Sequence, residues 1–297
     1  MSKQQWIAIL AALLLLTSCG SKPDASPDAA AKTEPPASQP ASGGEKPKSA
    51  DGASASNQPA PASAKEGQQP ASADGVKKQE QQVAKRYTMN PKTYDIVPID
   101  PNGAPKKVVL LTFDDGPKDL EMNKALLDTL QKHKAKAIFF LNGYRVKQKP
   151  ELVKLLASSG QTIGNHSWDH IDLKKEAKEK VNQQIGDVQK AIKELTGKAP
   201  VFFRPPFGSG SDDVRTKAKE EGLLFMTWSN GSKDWEMTVK KNSPEQVISN
   251  VLDQLHPGSN ILMHELPWTV EALDKLLTQL EEKGYGFVNP EEIETTS

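Results

Sequence analysis

Residues 108–113 read VVLLTF and residues 114–117 read DDGP. A short apolar run bounded by turn residues is typical of a strand that is buried on both faces, as in a parallel sheet. The same run delivers two adjacent carboxylates, Asp114 and Asp115, to the carboxyl end of the strand. Parallel α/β sheets carry their sites at that end, so this one segment predicts both the sheet and the edge where a site would lie.

Six further apolar runs along the chain repeat this pattern. They occupy residues 137–141, 161–164, 201–203, 223–228, 260–263 and 285–288. Between the runs, apolar residues three or four positions apart predict helices at 120–133, 151–157, 174–195, 213–221, 245–255 and 270–283. Four glycines follow predicted helix ends, where helices commonly end with a residue in the left-handed conformation: Gly160, Gly197, Gly222 and Gly284. The alternation predicts an α/β domain with a parallel sheet closed or nearly closed into a barrel, and the pattern alone does not separate a barrel from an open sheet.

The first 20 residues have the pattern of an export signal. A short charged start is followed by an apolar run at 6–16 and then by small residues around Cys19. The run is too short for a transmembrane helix, which needs about 20 residues. The letters LTSC at 16–19 resemble the lipobox of bacterial lipoproteins, which implies cleavage before Cys19 and lipid attachment to it. We therefore predict a signal peptide at 1–18 and a protein that is exported and lipid-anchored to the outer face of the cell membrane.

Residues 20–85 differ in composition from the rest of the chain. They contain no Ile, Leu, Met, Phe, Trp or Tyr, and their eight Lys balance eight Asp and Glu among nine prolines. Such a segment cannot bury enough apolar surface to offset its chain entropy. We predict an anchored cysteine with a disordered Ala/Ser/Pro-rich linker at 19–85 and a folded domain at 86–297.

The charge and cysteine content exclude several classes of protein. The chain has 297 residues, with 38 Lys and Arg against 38 Asp and Glu, which argues against nucleic acid as its main partner. The single Cys excludes an intramolecular disulfide framework and any metal site built from several cysteines. A metal site would therefore use His, Asp and Glu, and since nothing indicates a partner subunit we predict a monomer.

Five of the predicted strands end in residues that can carry chemistry. They are Asp114 and Asp115, His166 and His170, Arg204, Asp234, and His264. Each has an ordinary explanation when taken alone, such as a turn for DDGP, but their recurrence at strand ends indicates one site. His166 and His170 are four residues apart, a spacing that predicts that both face the same side of a helical turn. His133, among lysines, and His256, before Pro257, are interpreted as solvated and structural.

Five motifs in this order resemble those of the polysaccharide deacetylases with a NodB homology domain, also called carbohydrate esterase family 4. They read TFDDG at 112–116, HSWDH at 166–170, RPPFG at 204–208, DW at 234–235 and LMH at 262–264, and the resemblance covers about residues 106–290. It implies a distorted parallel (β/α) barrel with an open groove. It also implies a divalent metal, most often zinc and sometimes cobalt, manganese or nickel, bound by Asp115, His166 and His170.

The resemblance implies a role for each remaining residue of the motifs. Asp114 would be the general base, Arg204 would hold it in place, His264 would be the general acid, and Asp234 would orient His264. The backbone N–H of Phe207 would bind the oxyanion, and Trp235 and Leu262 would form apolar walls around the acetyl methyl group. Phe207 stands where many relatives have Tyr, which a backbone role tolerates. Gly231 and Ser232 precede the fourth motif where an acidic residue or Asn often stands, which leaves substrate choice open.

The leading hypothesis is therefore metal-dependent hydrolysis of N-acetyl groups from an extracellular polysaccharide that contains N-acetylglucosamine or N-acetylmuramic acid, releasing acetate. The predicted anchor and linker favour a wall polymer, peptidoglycan, over a diffusing oligosaccharide, and chitooligosaccharide or poly-N-acetylglucosamine is the alternative substrate. Two alternatives stay open. One is a catalytically idle carbohydrate-binding lipoprotein, and the other is a non-haem iron oxygenase, because two His and one carboxylate also describe that site.

Overall fold

The computed structural model describes residues 83–295. The predicted signal peptide, Cys19 and almost all of the predicted linker lie outside these residues. The strands are β1 Tyr87–Met89, β2 Ile96–Pro98, β3 Val108–Gly116, β4 Ala137–Leu141, β5 Thr162–Asn165, β6 Phe202–Phe203, β7 Leu224–Phe225, β8 Asn230–Gly231, β9 Ser259–His264 and β10 Gly286–Phe287. The helices are α1 Leu120–Lys132, α2 Gly143–Gln148, α3 Pro150–Ser158, α4 Lys178–Thr196, α5 Asp212–Glu220, α6 Pro244–Asp253 and α7 Pro267–Glu282. Across the described range no helix is both long and apolar enough to cross a membrane.

The main sheet is parallel and curled, and β3 lies inside it between β4 and β9. Its order is β7-β6-β5-β4-β3-β9-β8, and β10 pairs with the start of β3. No ladder joins β7 to β8 in the described part of the chain, so the sheet is an open half-barrel. Every pairing within it is parallel, so the carboxyl ends of its strands meet at one rim. The α/β prediction is confirmed, and the distorted parallel barrel that the resemblance implied is present as this open, curled half-barrel.

Strand alternation divides the core into two layers. In β3, Val109, Leu111 and Phe113 pack outward against the helices, whereas Val108 and Leu110 belong to the inner layer. The inner layer also contains Ile138, Phe140, Phe202 and Met226. Because side chains alternate along a strand, Thr112 and Asp114 share the inner face with Leu110. The carboxyl end of β3 therefore opens into the curl of the sheet.

Several predicted element bounds need correction. The run predicted as a strand at 223–228 is a strand only over β7, and β8 is a separate short strand that follows the run. Between β7 and β8, the carbonyl of Thr227 accepts hydrogen bonds from Arg204 and Asn260 instead of pairing in the sheet. The antiparallel pair β1 and β2 and the six-residue helix α2 were not predicted, since such short elements carry too little periodicity. The four glycines after predicted helix ends all have positive φ, between 67° and 80°, as predicted.

His133 is not solvated as predicted. Its side chain is only 6% exposed, and its ring nitrogens lie 2.8 Å from carboxylate oxygens of Asp274 and Glu281 on α7. The histidine joins the end of α1 to α7. His256 is structural, as predicted, and its Nε2 lies 2.7 Å from Asp95 Oδ1.

Candidate active site

A β-bulge turns Asp115 toward the same space as Asp114. Neighbouring residues of a regular strand point to opposite faces. Here Asp114 pairs with Phe140 and Gly116 with Leu141, so Asp115 is an extra residue, and its φ of 66° lies in the left-handed region. A bulge of this kind redirects a side chain. Both carboxylates of the DDGP motif can therefore serve one site.

Three side chains converge with the geometry of a metal site. Asp115, His166 and His170 each offer a ligand atom, and these atoms lie within 4.8 Å of one another. Asp115 Oδ1 is 3.5 Å from Nε2 of His166 and 3.2 Å from Nε2 of His170. This is the set that the resemblance implied, and the structure brings it together.

The two histidines do not share a helical turn, contrary to the prediction from their spacing. They flank an irregular loop in which Ser167 and His170 have positive φ, 63° and 55°. The loop is fixed by Asn165 Oδ1, which accepts from the backbone N–H of Ser167 at 2.9 Å, and by backbone N–H groups of α2 that donate to the carbonyls of Ser167 and Trp168. Local hydrogen bonds, not helical periodicity, place both imidazoles.

The donor set fits a divalent cation. His166 Nδ1 lies 2.7 Å from the carbonyl oxygen of Arg204, and since a carbonyl only accepts, Nδ1 carries the proton and Nε2 keeps its lone pair. Asp115 Oδ1 is buried and accepts no hydrogen bond from the residues that the structure describes. Burial raises the pKa of the Asp115 carboxyl, but the neighbouring imidazoles of His166, His264 and His170 hold it below its usual range. A buried, ionised oxygen beside two imidazole lone pairs is a suitable ligand set for zinc.

Asp114 is held by a fully buried arginine. Arg204 Nη1 donates to Asp114 Oδ1 at 2.7 Å and to Thr112 Oγ1 at 2.8 Å, while Nη2 donates to the carbonyl of Thr227 at 2.8 Å. Its Cζ lies 4.4 Å from the ring centroid of Phe140. A charge-assisted bond of this length fixes the carboxylate and leaves Oδ2 facing the histidines, 3.6 Å from His166 Nε2.

His264 and Asp234 form a second pair on the opposite side of Asp114. Asp114 and His264 are register partners on adjacent strands. Asp234 Oδ1 lies 2.8 Å from His264 Nδ1, and its Oδ2 accepts from the backbone N–H of His264 at 2.7 Å and from Thr269 Oγ1 at 2.6 Å. Burial lowers the pKa of His264, but the hydrogen bond and charge of Asp234, with Asp114 and Asp115 beyond, raise it above its ordinary value.

The residues predicted as groove walls lie around this centre. Phe207 is 66% exposed with a φ of 60°, and its ring meets that of His170 edge-on at 4.9 Å. Its backbone N–H donates no hydrogen bond within residues 83–295. Trp235, 42% exposed, meets the His264 ring at 5.6 Å and Trp228 at 6.3 Å. Leu262, in contrast, is buried on the inner face of β9 beneath the rim.

Sequence reasoning did not identify Thr112, Asn260 and Glu265 as parts of the site. Thr112 and Asn260 Oδ1 accept from the Arg204 guanidinium, and Glu265 Oε2 accepts from the backbone N–H of Lys118 at 2.7 Å. The sequence does contain a signal for Thr112 and Asn260. Each is a polar residue inside an apolar run, an even number of positions before Asp114 or His264, and therefore on the same face of its strand.

The sequence is similar to known proteins over the same region. A family model described as polysaccharide deacetylase matches residues 102–226. The chain is 39% identical over 188 residues to a peptidoglycan-N-acetylglucosamine deacetylase of Bacillus cereus, a match that covers 62% of this chain and 66% of that protein. It is 34% identical over 197 residues to the peptidoglycan-N-acetylmuramic acid deacetylase PdaC of Bacillus subtilis, covering 66% of this chain and 40% of PdaC. The chain thus spans less than two thirds of the length of either relative.

Solved structures show the same architecture. The Bc1960 peptidoglycan N-acetylglucosamine deacetylase is similar with a TM-score of 0.59 and 36% identity, and the match covers 65% of this chain and 90% of that chain. BA3943 of Bacillus anthracis, a CE4 family pseudoenzyme, has a TM-score of 0.59 and 32% identity, and the match covers 63% of this chain and 66% of that chain. The fold is therefore shared by an enzyme and by a protein described as a pseudoenzyme.

Proposed function

Because the chain belongs to the polysaccharide deacetylase family, we propose that it hydrolyses N-acetyl groups of peptidoglycan in a metal-dependent reaction that releases acetate. The observation that carries this proposal is the convergence of Asp115, His166 and His170 beside the Asp114–Arg204 pair and the His264–Asp234 pair. A structural ion site would need neither pair. Together they offer a proton acceptor and a proton donor beside one metal site.

Asp115, His166 and His170 would hold the metal. When bound, a zinc-type ion supplies Lewis acidity toward the acetamide carbonyl and activates water at neutral pH. The Arg204 carbonyl sets the tautomer of His166 for this task. Asp114 lies directly beside the three ligands, so it is placed to receive a proton from a water molecule that attacks the carbonyl carbon.

Asp114 and His264 divide the proton transfers between them. Asp114 takes one proton from the attacking water at Oδ2, because Oδ1 is engaged by Arg204. The water oxygen forms a bond to the carbonyl carbon, and the bond from that carbon to nitrogen then breaks. His264 gives its proton to the departing nitrogen from Nε2, because Nδ1 is engaged by Asp234. The products are acetate and a free amino sugar.

Phe207 and Trp235 would hold the sugar in place. The unengaged backbone N–H of Phe207 can donate to the carbonyl oxygen as negative charge develops there. The exposed rings of Phe207 and Trp235 border the site from the His170 side and the His264 side. Leu262 is buried, so it would contribute to the floor near the acetyl methyl group and not to an exposed wall.

Because the Asp234 carboxylate raises the pKa of His264, it affects how enzymatic activity depends on pH. The general acid must be protonated, so activity falls as pH rises through the pKa of His264, and the raised pKa moves that fall to higher pH. Asp234→Asn removes the charge that raises it. We expect the alkaline limb of kcat/KM to move to lower pH, with a loss of ~10²-fold at alkaline pH.

A pH profile of acetate release checks this prediction, with Thr269→Val as the control. Thr269→Val removes a hydrogen bond to Asp234 Oδ2 without removing the charge, so its alkaline limb should stay at the wild-type position. An Asp234→Asn profile with an unmoved limb and a uniform loss would instead assign Asp234 a purely structural role.

The N-terminal sequence supports a proposal for the location of the protein. The lipobox-like LTSC at 16–19 and the composition of 20–85 support a protein held to the outer face of the membrane by lipid on Cys19, with a linker that lets the domain reach the wall. Cys19→Ala should shift the protein from the membrane fraction to the soluble fraction. Immunoblotting of both fractions measures this, and continued membrane attachment of Cys19→Ala would rule out the lipid anchor.

The proposed activity is tested by acetate release from three polymers. Purified protein loaded with zinc or cobalt is incubated with peptidoglycan, chitooligosaccharide and poly-N-acetylglucosamine. Release from peptidoglycan supports the proposal, and release only from another polymer corrects its substrate. If metal is bound and no polymer releases acetate, the result would favour the idle carbohydrate-binding alternative. BA3943, a pseudoenzyme with a similar fold, is a precedent for that alternative.

A further inference from the structure

Lys118 lies at the edge of the candidate site, and two hydrogen bonds fix its backbone. Its N–H donates to Glu265 Oε2 at 2.7 Å, and its carbonyl accepts a hydrogen bond from Lys149 Nζ. Its ammonium lies 3.9 Å from Asp115 Oδ2, and its side chain is 17% exposed. Lys118 is therefore largely enclosed beside a proposed metal ligand.

Arg145 presents a second cation close by. It lies on α2, whose first turn is bonded to the histidine loop: Asn142 Nδ2 donates to the carbonyl of His166 at 2.9 Å, and the Gly143 N–H donates to the carbonyl of Ser167 at 3.0 Å. Its Cζ lies 4.9 Å from the Tyr144 ring centroid. Lys149 connects the two cations: its backbone N–H donates to the carbonyl of Arg145 at 2.8 Å, and its Nζ donates to the carbonyl of Lys118.

The guanidinium of Arg145 lacks an anionic partner in the described part of the chain. Its Nε is buried without a hydrogen bond, and within residues 83–295 the guanidinium forms no ion pair shorter than 4.0 Å. A buried donor without a partner costs free energy, which a bound acceptor would recover. The ligand that suits a guanidinium beside an ammonium is a carboxylate.

The carboxylates already present do not fill this role. Asp115 is committed to the metal in the proposed function. Glu265 is buried, and its Oε2 accepts from the Lys118 N–H and from Asn123 Nδ2 at 2.9 Å, whereas its Oε1 has no hydrogen-bond partner among residues 83–295. Neither carboxylate lies within 4.0 Å of the Arg145 guanidinium in the described chain. Lys118 Nζ has one ion-pair partner in the described chain, Asp115 Oδ2 at 3.9 Å, and Arg145 has none there. Both cations can therefore meet an anion that arrives from the groove.

We propose that Lys118 and Arg145 form a subsite for a carboxylate that the glycan carries beside the acetamido group to be hydrolysed. This inference rests on the proposed function, because it takes the polymer in the groove to be peptidoglycan. Muramic acid carries such a group as its lactyl ether, either free or joined to a peptide that has carboxylates of its own. A polymer of N-acetylglucosamine alone has none.

The test compares three soluble glycans of equal length. One is a GlcNAc oligomer, the second contains MurNAc with a free lactyl carboxylate, and the third contains MurNAc joined to its peptide. The variants are Lys118→Gln and Arg145→Gln, with Lys147→Gln as the control, since Lys147 is an exposed cation on the same helix. The quantity measured is the kcat/KM for each MurNAc glycan divided by that for the GlcNAc oligomer.

We expect this ratio to fall about tenfold or more in Lys118→Gln and Arg145→Gln and to stay unchanged in Lys147→Gln. A fall with the free lactyl glycan only, or with the peptide glycan only, identifies which carboxylate binds. Unchanged ratios with both MurNAc glycans would overturn the subsite.

Binding separates this proposal from the proposed function. The Kd of each glycan is measured by calorimetry with Asp114→Asn as the background, into which Lys118→Gln and Arg145→Gln are introduced. Failure of the wild type to release acetate from every glycan would refute the deacetylase activity. Equal Kd values for all three glycans, unaffected by the two substitutions, would refute the subsite whatever the activity.

Discussion

Asp114→Asn is expected to keep the metal and lose most of its activity. The Asn side chain retains an oxygen that can accept from Arg204 Nη1, so the buried guanidinium keeps a partner and the fold persists. What disappears is the carboxylate that takes the proton from the attacking water. Loss of a general base typically costs 10²–10⁴-fold in rate, so acetate release should fall by ~10³-fold. Acetate assays and metal analysis of the same preparation measure both effects.

Asp169→Asn is the matched control for this change. Asp169 belongs to the HSWDH motif, but its Oδ2 accepts from Gln184 Nε2 at 2.6 Å on α4 and takes no part in the proposed chemistry. The activity of Asp169→Asn should stay near that of the wild type. Asp114→Asn with near wild-type turnover would show that another group is the base.

His166→Ala and Asp115→Ala are expected to lose metal and activity together. Each substitution removes one of three ligand atoms that lie within 4.8 Å of one another. Altering only a neighbour of a metal ligand commonly costs 10–100-fold in affinity, so removal of a ligand should weaken zinc binding by more than ~100-fold. Competition with a chromogenic chelator measures the affinity, and acetate release should fall to background.

His256→Ala provides the control among histidines. His256 bonds to Asp95 on the far side of the sheet from the candidate site, at the amino end of β9. Its removal should change neither metal affinity nor activity. If His166→Ala retained wild-type zinc affinity while His256→Ala lost it, the proposed ligand set would be wrong.

The position of the site was predictable from sequence because strand polarity determines it. Asp114, His166, Arg204, Asp234 and His264 all follow apolar runs, and in a parallel sheet the ends of those runs meet at one rim. The strand and helix order was predictable for the same reason, since long periodic segments carry a strong signal. The structure places all of these side chains around one centre.

The finer geometry was not predictable because it depends on backbone conformations without a sequence signature. Asp115 reaches the site through a bulge, and His170 through a loop with two left-handed residues, neither of which is a glycine. Spacing alone suggested a helical turn there, which was wrong. The burial of Arg204 depends on Thr112, Asn260 and Thr227, which three separate parts of the chain contribute. The partners of His133 on α7 likewise depend on tertiary packing.

The two alternatives proposed from the sequence, an idle binding protein and an iron oxygenase, predict different experimental results. An idle binding protein would keep glycan affinity and release no acetate. An iron oxygenase would require iron and dioxygen, and it would have no evident use for the Asp114–Arg204 and His264–Asp234 pairs. Acetate release without dioxygen would exclude the oxygenase.

The most direct measurement is the rate of acetate release from peptidoglycan as zinc is added to metal-stripped protein. We expect no release without metal, a rise that saturates at one equivalent of zinc, and no release at any zinc concentration with His166→Ala. A full rate in the metal-free protein, or no acetate at one bound equivalent, would contradict the proposal that Asp115, His166 and His170 hold the metal on which deacetylation depends.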